Sequence, residues 1–179
     1  ELKDKDIVDL HNWLAAVQAN PKVNIKSIAV VGYASPEGEV ALNENLSNDR
    51  AAAGKKVSQD LAKKAKNDKA QTEVYNLAGR GEDYVGFKRE LEKSNMNADE
   101  RNLIIRVLEM HSDPATRESE MRNMGKTFTY LDNNIFPLLR RSEIIVTYDL
   151  TGYSDEELKT IAGSTPDSLT LEELLFTAT

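Results

Sequence analysis

The run Ile28-Ala29-Val30-Val31-Gly32-Tyr33-Ala34-Ser35-Pro36-Glu37-Gly38 constrains this chain more than any other stretch. Its apolar half reads as a strand, Ile25 to Tyr33, of the kind buried on both faces in a parallel sheet. Ser-Pro-Glu-Gly then makes a turn, because proline fixes one backbone angle and glycine frees the next. Leu42, Leu46, Ala53, Val57 and Leu61, about four apart, read as the helix that follows. Gly54 falls inside that helix, where glycine costs ~1 kcal/mol relative to alanine, and a close helix–sheet contact is one reason to tolerate it. Strand, turn and helix in this order aim backbone N–H groups and the guanidinium of Arg50 at one small volume. Such a volume suits an anion, above all a carboxylate.

Around this unit the chain reads as α+β: helix, strand, helix, strand, a helical block, and a last strand. Ile7, Leu10, Leu14 and Val17 fall at helical spacing, and Asn20-Pro21 ends that helix. Thr72 to Ala78 reads as a strand closed by a Gly79-Arg80-Gly81 turn. Alternating helices and strands predict a sheet with parallel neighbours. Residues 83–136 then carry four short helical patterns. Tyr84, Phe87 and Leu91 mark the first; an Asn97 to Glu100 capping box opens the second. Asp113-Pro114 serves as N-cap and first residue of the third, with Gly125 as its stop. Phe128, Leu131, Ile135 and Phe136 form the fourth, and Glu82-Asp83 are expected to cap the first. Glu143 to Leu150 is the closing strand of a domain spanning residues 1–150. Ser154 with Glu157 and Thr170 with Glu173 are capping boxes of a helical extension, 151–179, read as a possible start of a following domain.

Bulk properties remove several function classes. A net charge of -7 argues against a nucleic-acid surface, so the lysines at 55, 56, 63, 64 and 66 read as a solvated helix face. No cysteine is present for a disulfide or a thiolate metal site, and no apolar run approaches the ~20 residues of a membrane span. Glu1-Leu2-Lys3-Asp4 has no signal-peptide character, so an export signal is expected to have been removed. His11 and His111 stand apart, and ligation of a metal needs clustered partners. Ser47 has no histidine near it in sequence and reads as a local hydrogen-bonder. Gly79-Arg80-Gly81 lacks the Lys-Ser/Thr of a phosphate loop. Glu37, Asp49, Glu82 and Asp83 could furnish a carboxylate pair, but spacing selects none of them. The expectation is a binding protein with no cofactor, metal or catalytic residue. A bland alternative for Arg50 is an ion pair with Glu37 or Glu143.

Gly32, Tyr33 and Gly38, followed by Asn43, Leu46, Ser47, Arg50 and Ala51, resemble the signature of the OmpA-like C-terminal domain, a peptidoglycan-associating module of bacterial envelope proteins. Arg140-Arg141-Ser142-Glu143-Ile144 is similar to the entry of that family's final strand. The Ala-Ser-Pro-Glu-Gly loop and the helical insertion look like a Bacteroidetes variant. The resemblance implies a mixed βαβαβ-type sheet with helices packed on it, and a site binding the diaminopimelate of the peptidoglycan stem peptide. Ser35, Glu37, Asn43 and Arg50 are then the candidate ligand-binding residues. In the family an aspartate takes the ligand's ammonium and the arginine its carboxylate. The aspartate position is Ser35 here, Arg50 is retained, and Glu37 is the nearby acid that could take over the ammonium. The resemblance also implies a first strand ahead of the first helix; this chain starts at the helix, so that strand is missing or its sheet edge is covered otherwise. The function expected is anchoring of an outer-membrane protein or lipoprotein to peptidoglycan, in the periplasm. The alternative is a protein–protein interaction module of an envelope assembly, with residues 83–136 as its surface and a degenerate peptidoglycan site.

Overall fold

A computed structural model describes residues 4–178. Glu1, Leu2 and Lys3, part of the stretch read for signal-peptide character, lie outside the described residues, as does Thr179. Helix α1 (Lys5–Ala19) starts where the Asp4 carboxylate accepts the Asp6 N–H, and it ends at Asn20 as the sequence predicts. Strand β1 (Val23–Ala34) leads through the loop to the long helix α2 (Val40–Lys64). A single 3-10 turn, Thr72–Val74, precedes β2 (Tyr75–Glu82). The helical block follows as α3 (Tyr84–Lys93), α4 (Ala98–Met110), α5 (Pro114–Asn123), α6 (Lys126–Asn134) and α7 (Phe136–Leu139). Then come β3 (Ser142–Leu150), α8 (Asp155–Ser164) and α9 (Leu171–Thr177).

The sheet order is β2-β1-β3, with β1 parallel to β2 and antiparallel to β3. Leu14 and Val17 of α1, Leu61 and Ala62 of α2, and Ile25, Ile28 and Val30 of β1 share one apolar core, so both helices cover one face of the sheet. The fold is α+β, an α/β sandwich. Burial of β1 on both faces does not hold. Ile28 and Val30 are sealed, whereas Ala29 and Val31 between them are only half-buried, and Ile145 beside Ala29 is 51% exposed. With helices on one face only, the strand alternates instead of running apolar throughout.

Three local expectations are modified by the structure. β2 begins three residues late, at Tyr75, and continues through Gly79-Arg80-Gly81 instead of turning there. A Cβ on Gly79 would stand 2.4 Å from Asn48 Oδ1 and 2.6 Å from Ser47 Oγ, so this glycine is a close approach of strand to helix. Asn97 caps α4 through the Asp99 N–H, but Glu100 accepts from Thr127 Oγ1 at 3.2 Å, leaving half of the capping box. The last helical pattern splits into α6 and α7 around Ile135, since Pro137 has no N–H to continue a helix.

Helices α3–α7 enclose a second core of their own, in which Phe136 meets Phe87 at 5.5 Å and Phe128 at 5.8 Å, both edge-on. The extension 151–179 is tied back to the start of β1. Lys22 donates to Glu157 Oε2 at 2.8 Å and to the Gly152 carbonyl at 3.2 Å, and it lies over the Tyr153 ring. The outer edge of β3 has no strand partner among the described residues. A groove of about 980 Å³ runs beside its start, lined by Ile7 and Leu10 of α1, Gly54 and Val57 of α2, and Ser142 to Ile145.

Candidate functional site

Everything at the site hangs on how closely α2 lies on β1. A Cβ on Gly32 would fall 1.9 Å from the Ser47 carbonyl oxygen, and one on Gly54 would fall 2.9 Å from both Val30 Cγ1 and Ser142 Cβ. The absence of both methyl groups lets the helix settle onto the strand, which is the contact the sequence reading assigned to Gly54. Ser47, fully buried, donates to the Glu44 carbonyl at 2.8 Å and accepts the Gly81 N–H at 2.9 Å, fixing β2 against the same helix.

The loop between β1 and α2 joins Ser35, Glu37 and the α2 residue Asn43 by hydrogen bonds, while Arg50 lies about two turns further along α2, bonded to the Tyr33 carbonyl. Ser35 and Asn43 are 3% and 4% exposed, so neither presents a free surface to a ligand. Asn43 is a staple: its amide donates to the Glu37 carbonyl and to Glu82 Oε1, both at 2.9 Å. Glu82, expected as part of a helix cap, is therefore spent on Asn43 and on the Tyr84 hydroxyl at 2.9 Å. Capping of α3 falls to Asp83 alone, which accepts the Gly86 N–H at 2.7 Å.

The loop amides do not open toward a ligand as the strand–turn–helix reading predicts. The Glu37 N–H turns back to the Ser35 carbonyl at 2.8 Å. The Gly38 N–H donates to Glu118 Oε1 at 2.7 Å. That carboxylate reaches in from α5 and is itself held by Arg122 at 2.6 Å. The helical block thus supplies the loop with an internal anion, an occupant that local sequence around the loop could not reveal.

Arg50 keeps the property that singled it out. Its Nη1 donates to the Tyr33 carbonyl at 2.9 Å, and its own carbonyl accepts Ser142 Oγ at 2.7 Å. Half-buried, it has no carboxylate in ion-pair range among the described residues. Burial, and then the charge of Arg140, hold its pKa below the usual guanidinium value. The bland pairing with Glu37 or Glu143 is absent, because each of those acids belongs to another arginine.

Those arginines are the tandem pair at the entrance to β3. Arg140 Nε donates to Ser35 Oγ at 3.1 Å, its Nη2 donates to Glu37 Oε1, and Asp132 lies 3.7 Å away. Arg141 stacks on the Tyr33 ring at 4.5 Å, bonds Glu143 Oε1 at 2.6 Å, and stands 2.7 Å from Asp83 Oδ2. Those last two atoms, Arg141 Nη1 and Asp83 Oδ2, are buried and poorly aligned for a hydrogen bond, so charge alone holds them. Arg140 was visible in the sequence only as the entry of a strand; its reach across the molecule to Ser35 and Glu37 was not.

Chemically, the site holds one half-buried guanidinium, Arg50, with no carboxylate partner among the described residues, and a second, Arg140, that is already paired. Among the described residues no three His, Asp or Glu side chains converge as a metal site, and no helix is long and apolar enough to cross a membrane. No protein-family model, curated protein or solved structure matches the chain.

Proposed function

We propose that this chain is a non-covalent binding module of the cell envelope, gripping a carboxylate of the peptidoglycan stem peptide and so anchoring an outer-membrane protein or lipoprotein in the periplasm. The observation that carries the reading is Arg50, a half-buried guanidinium oriented by the Tyr33 carbonyl and lacking any carboxylate partner among the described residues. A charge partly withdrawn from water gains most from an incoming anion, and a guanidinium–carboxylate pair is among the stronger polar contacts. The motif resemblance around Arg50 supplies the ligand class. No covalent step is involved.

Titration of a diaminopimelate-containing muropeptide should give saturable binding that Arg50→Ala abolishes. Absence of binding by the wild-type chain at millimolar ligand refutes the reading. An interaction module built on residues 83–136 would then lead. It draws support from α4, where Leu103 and Met110 are 49% and 75% exposed.

A further inference from the structure

A ligand that carries an ammonium next to its carboxylate needs acceptors beside Arg50. The loop has two such acceptors, Ser35 Oγ and the Glu37 carboxylate, and Arg140 already occupies both. Its Nε donates to Ser35 Oγ at 3.1 Å and its Nη2 donates to Glu37 Oε1, while Ser35 Oγ donates to the same Glu37 oxygen at 3.0 Å. Glu37 Oε2 stays outside these bonds, but the charge of the carboxylate is balanced by the guanidinium in contact with it. After burial, the charge of Arg140 also lowers the basicity of Arg50 itself. The place where an ammonium would sit thus holds a cation belonging to the protein, and the neighbouring field attracts a carboxylate and repels an amine.

We infer that Arg140 is a specificity-determining residue, a built-in substitute for a ligand's ammonium, and that the site selects carboxylates whose neighbouring amine is acylated or absent, such as the free C-terminus of a peptide. The inference rests on the reading of Arg50 as the carboxylate grip, and it narrows the ligand: the free amine of diaminopimelate is not what is recognised.

The test uses two stem peptides ending in diaminopimelate, identical except that the terminal amine is free in one and acetylated in the other. Each is titrated calorimetrically into the full chain. Acetylation should tighten wild-type binding about threefold or more, because it removes the ammonium that the site repels. Arg140→Gln, which uncovers Glu37 and Ser35, should make the free-amine peptide the better ligand by about tenfold, the value of one charge-assisted hydrogen bond. A wild-type chain that needs Arg50 for binding but binds the acetylated peptide no better than the free-amine one overturns the inference and leaves the carboxylate grip standing. An unchanged preference in Arg140→Gln also overturns it. If neither peptide binds the wild-type chain, the grip itself falls and the inference with it.

Discussion

Adding one methyl group at Gly32 should be among the most damaging conservative changes in this protein, and the same change at Gly54 should cost less. At Gly32 the new Cβ meets backbone atoms of α2: the Ser47 oxygen at 1.9 Å, the Ala51 nitrogen at 2.7 Å and the Ser47 carbon at 3.0 Å. The nearest of these is about 1.5 Å short of the 3.4 Å at which ordinary contact begins. Backbone inside a helix cannot rotate aside, so α2 as a whole must lift from β1. Lifting it strains the Ser47–Gly81 and Ser142–Arg50 hydrogen bonds, each worth about 1 kcal/mol net. Overpacking of this kind costs about 3 kcal/mol or more, the upper end of its range. At Gly54 the encounters are with Ser142 Cβ, fixed to the backbone of β3, and with Cγ1 of the fully buried, β-branched Val30, both at 2.9 Å, so strand and helix must part by about half an ångström. Alanine also returns ~1 kcal/mol of helix propensity there. Gly54→Ala should therefore cost about 1–2 kcal/mol, less than Gly32→Ala. Urea unfolding followed by Trp13 fluorescence and far-UV circular dichroism measures both variants, with a lower midpoint and unchanged slope expected for Gly32→Ala. If Gly32→Ala unfolds within about 0.5 kcal/mol of wild type, or if Gly54→Ala is the worse of the two, the packing argument is wrong.

Asp83, 7% exposed, caps α3 and neutralises Arg141, so Asp83→Ala should cost about 3 kcal/mol or more in thermal unfolding. Asp83→Asn keeps a capping oxygen and should recover about 1 kcal/mol of that loss; equal stabilities would remove the cap from the account. A third prediction concerns acid. The Lys22 ammonium first, and then the Ser154 N–H and hydroxyl, hold the Glu157 carboxyl down from an ordinary 4.5 to about 2. A depressed carboxyl stabilises the folded state above its unfolded pKa, and that contribution fades as pH falls from 4.5 toward 2. Protection factors in α8, corrected for the intrinsic pH dependence of amide exchange, should fall as pH drops across that window in wild type and fall less in Glu157→Gln; identical profiles would refute the linkage.

Periodic and local features were legible from the residues alone. The spacing of Leu14 and Val17, the Asp113-Pro114 start of α5 and both capping boxes of the extension appear where their pattern places them, since caps and amphipathic faces depend on neighbours a few residues away. Gly54 hinted at its role in sequence, since a close helix–sheet contact is one reason to keep a glycine inside a helix, and the structure shows that contact. The half-open face of β1 was not legible. Ile28 to Val31 is the same apolar run whether one layer of helices covers it or two, and only the topology says which.

At the site the division is sharper. Sequence by itself determined that a strand, a tight turn and a helix bearing Arg50 lie in succession, and that geometry follows from proline, glycine and periodicity. It also named Glu37 as the acid within reach of a ligand's amine. Tertiary structure decided that Glu37 is already committed, since Arg140 arrives from 103 residues away in the chain to pair with it and with Ser35. It likewise decided that the Gly38 amide faces Glu118, 80 residues distant in sequence. Charge pairing acts through space over a few ångströms, whatever the separation along the chain. A motif can therefore place a guanidinium, but only the fold shows which of its neighbouring charges are already spent.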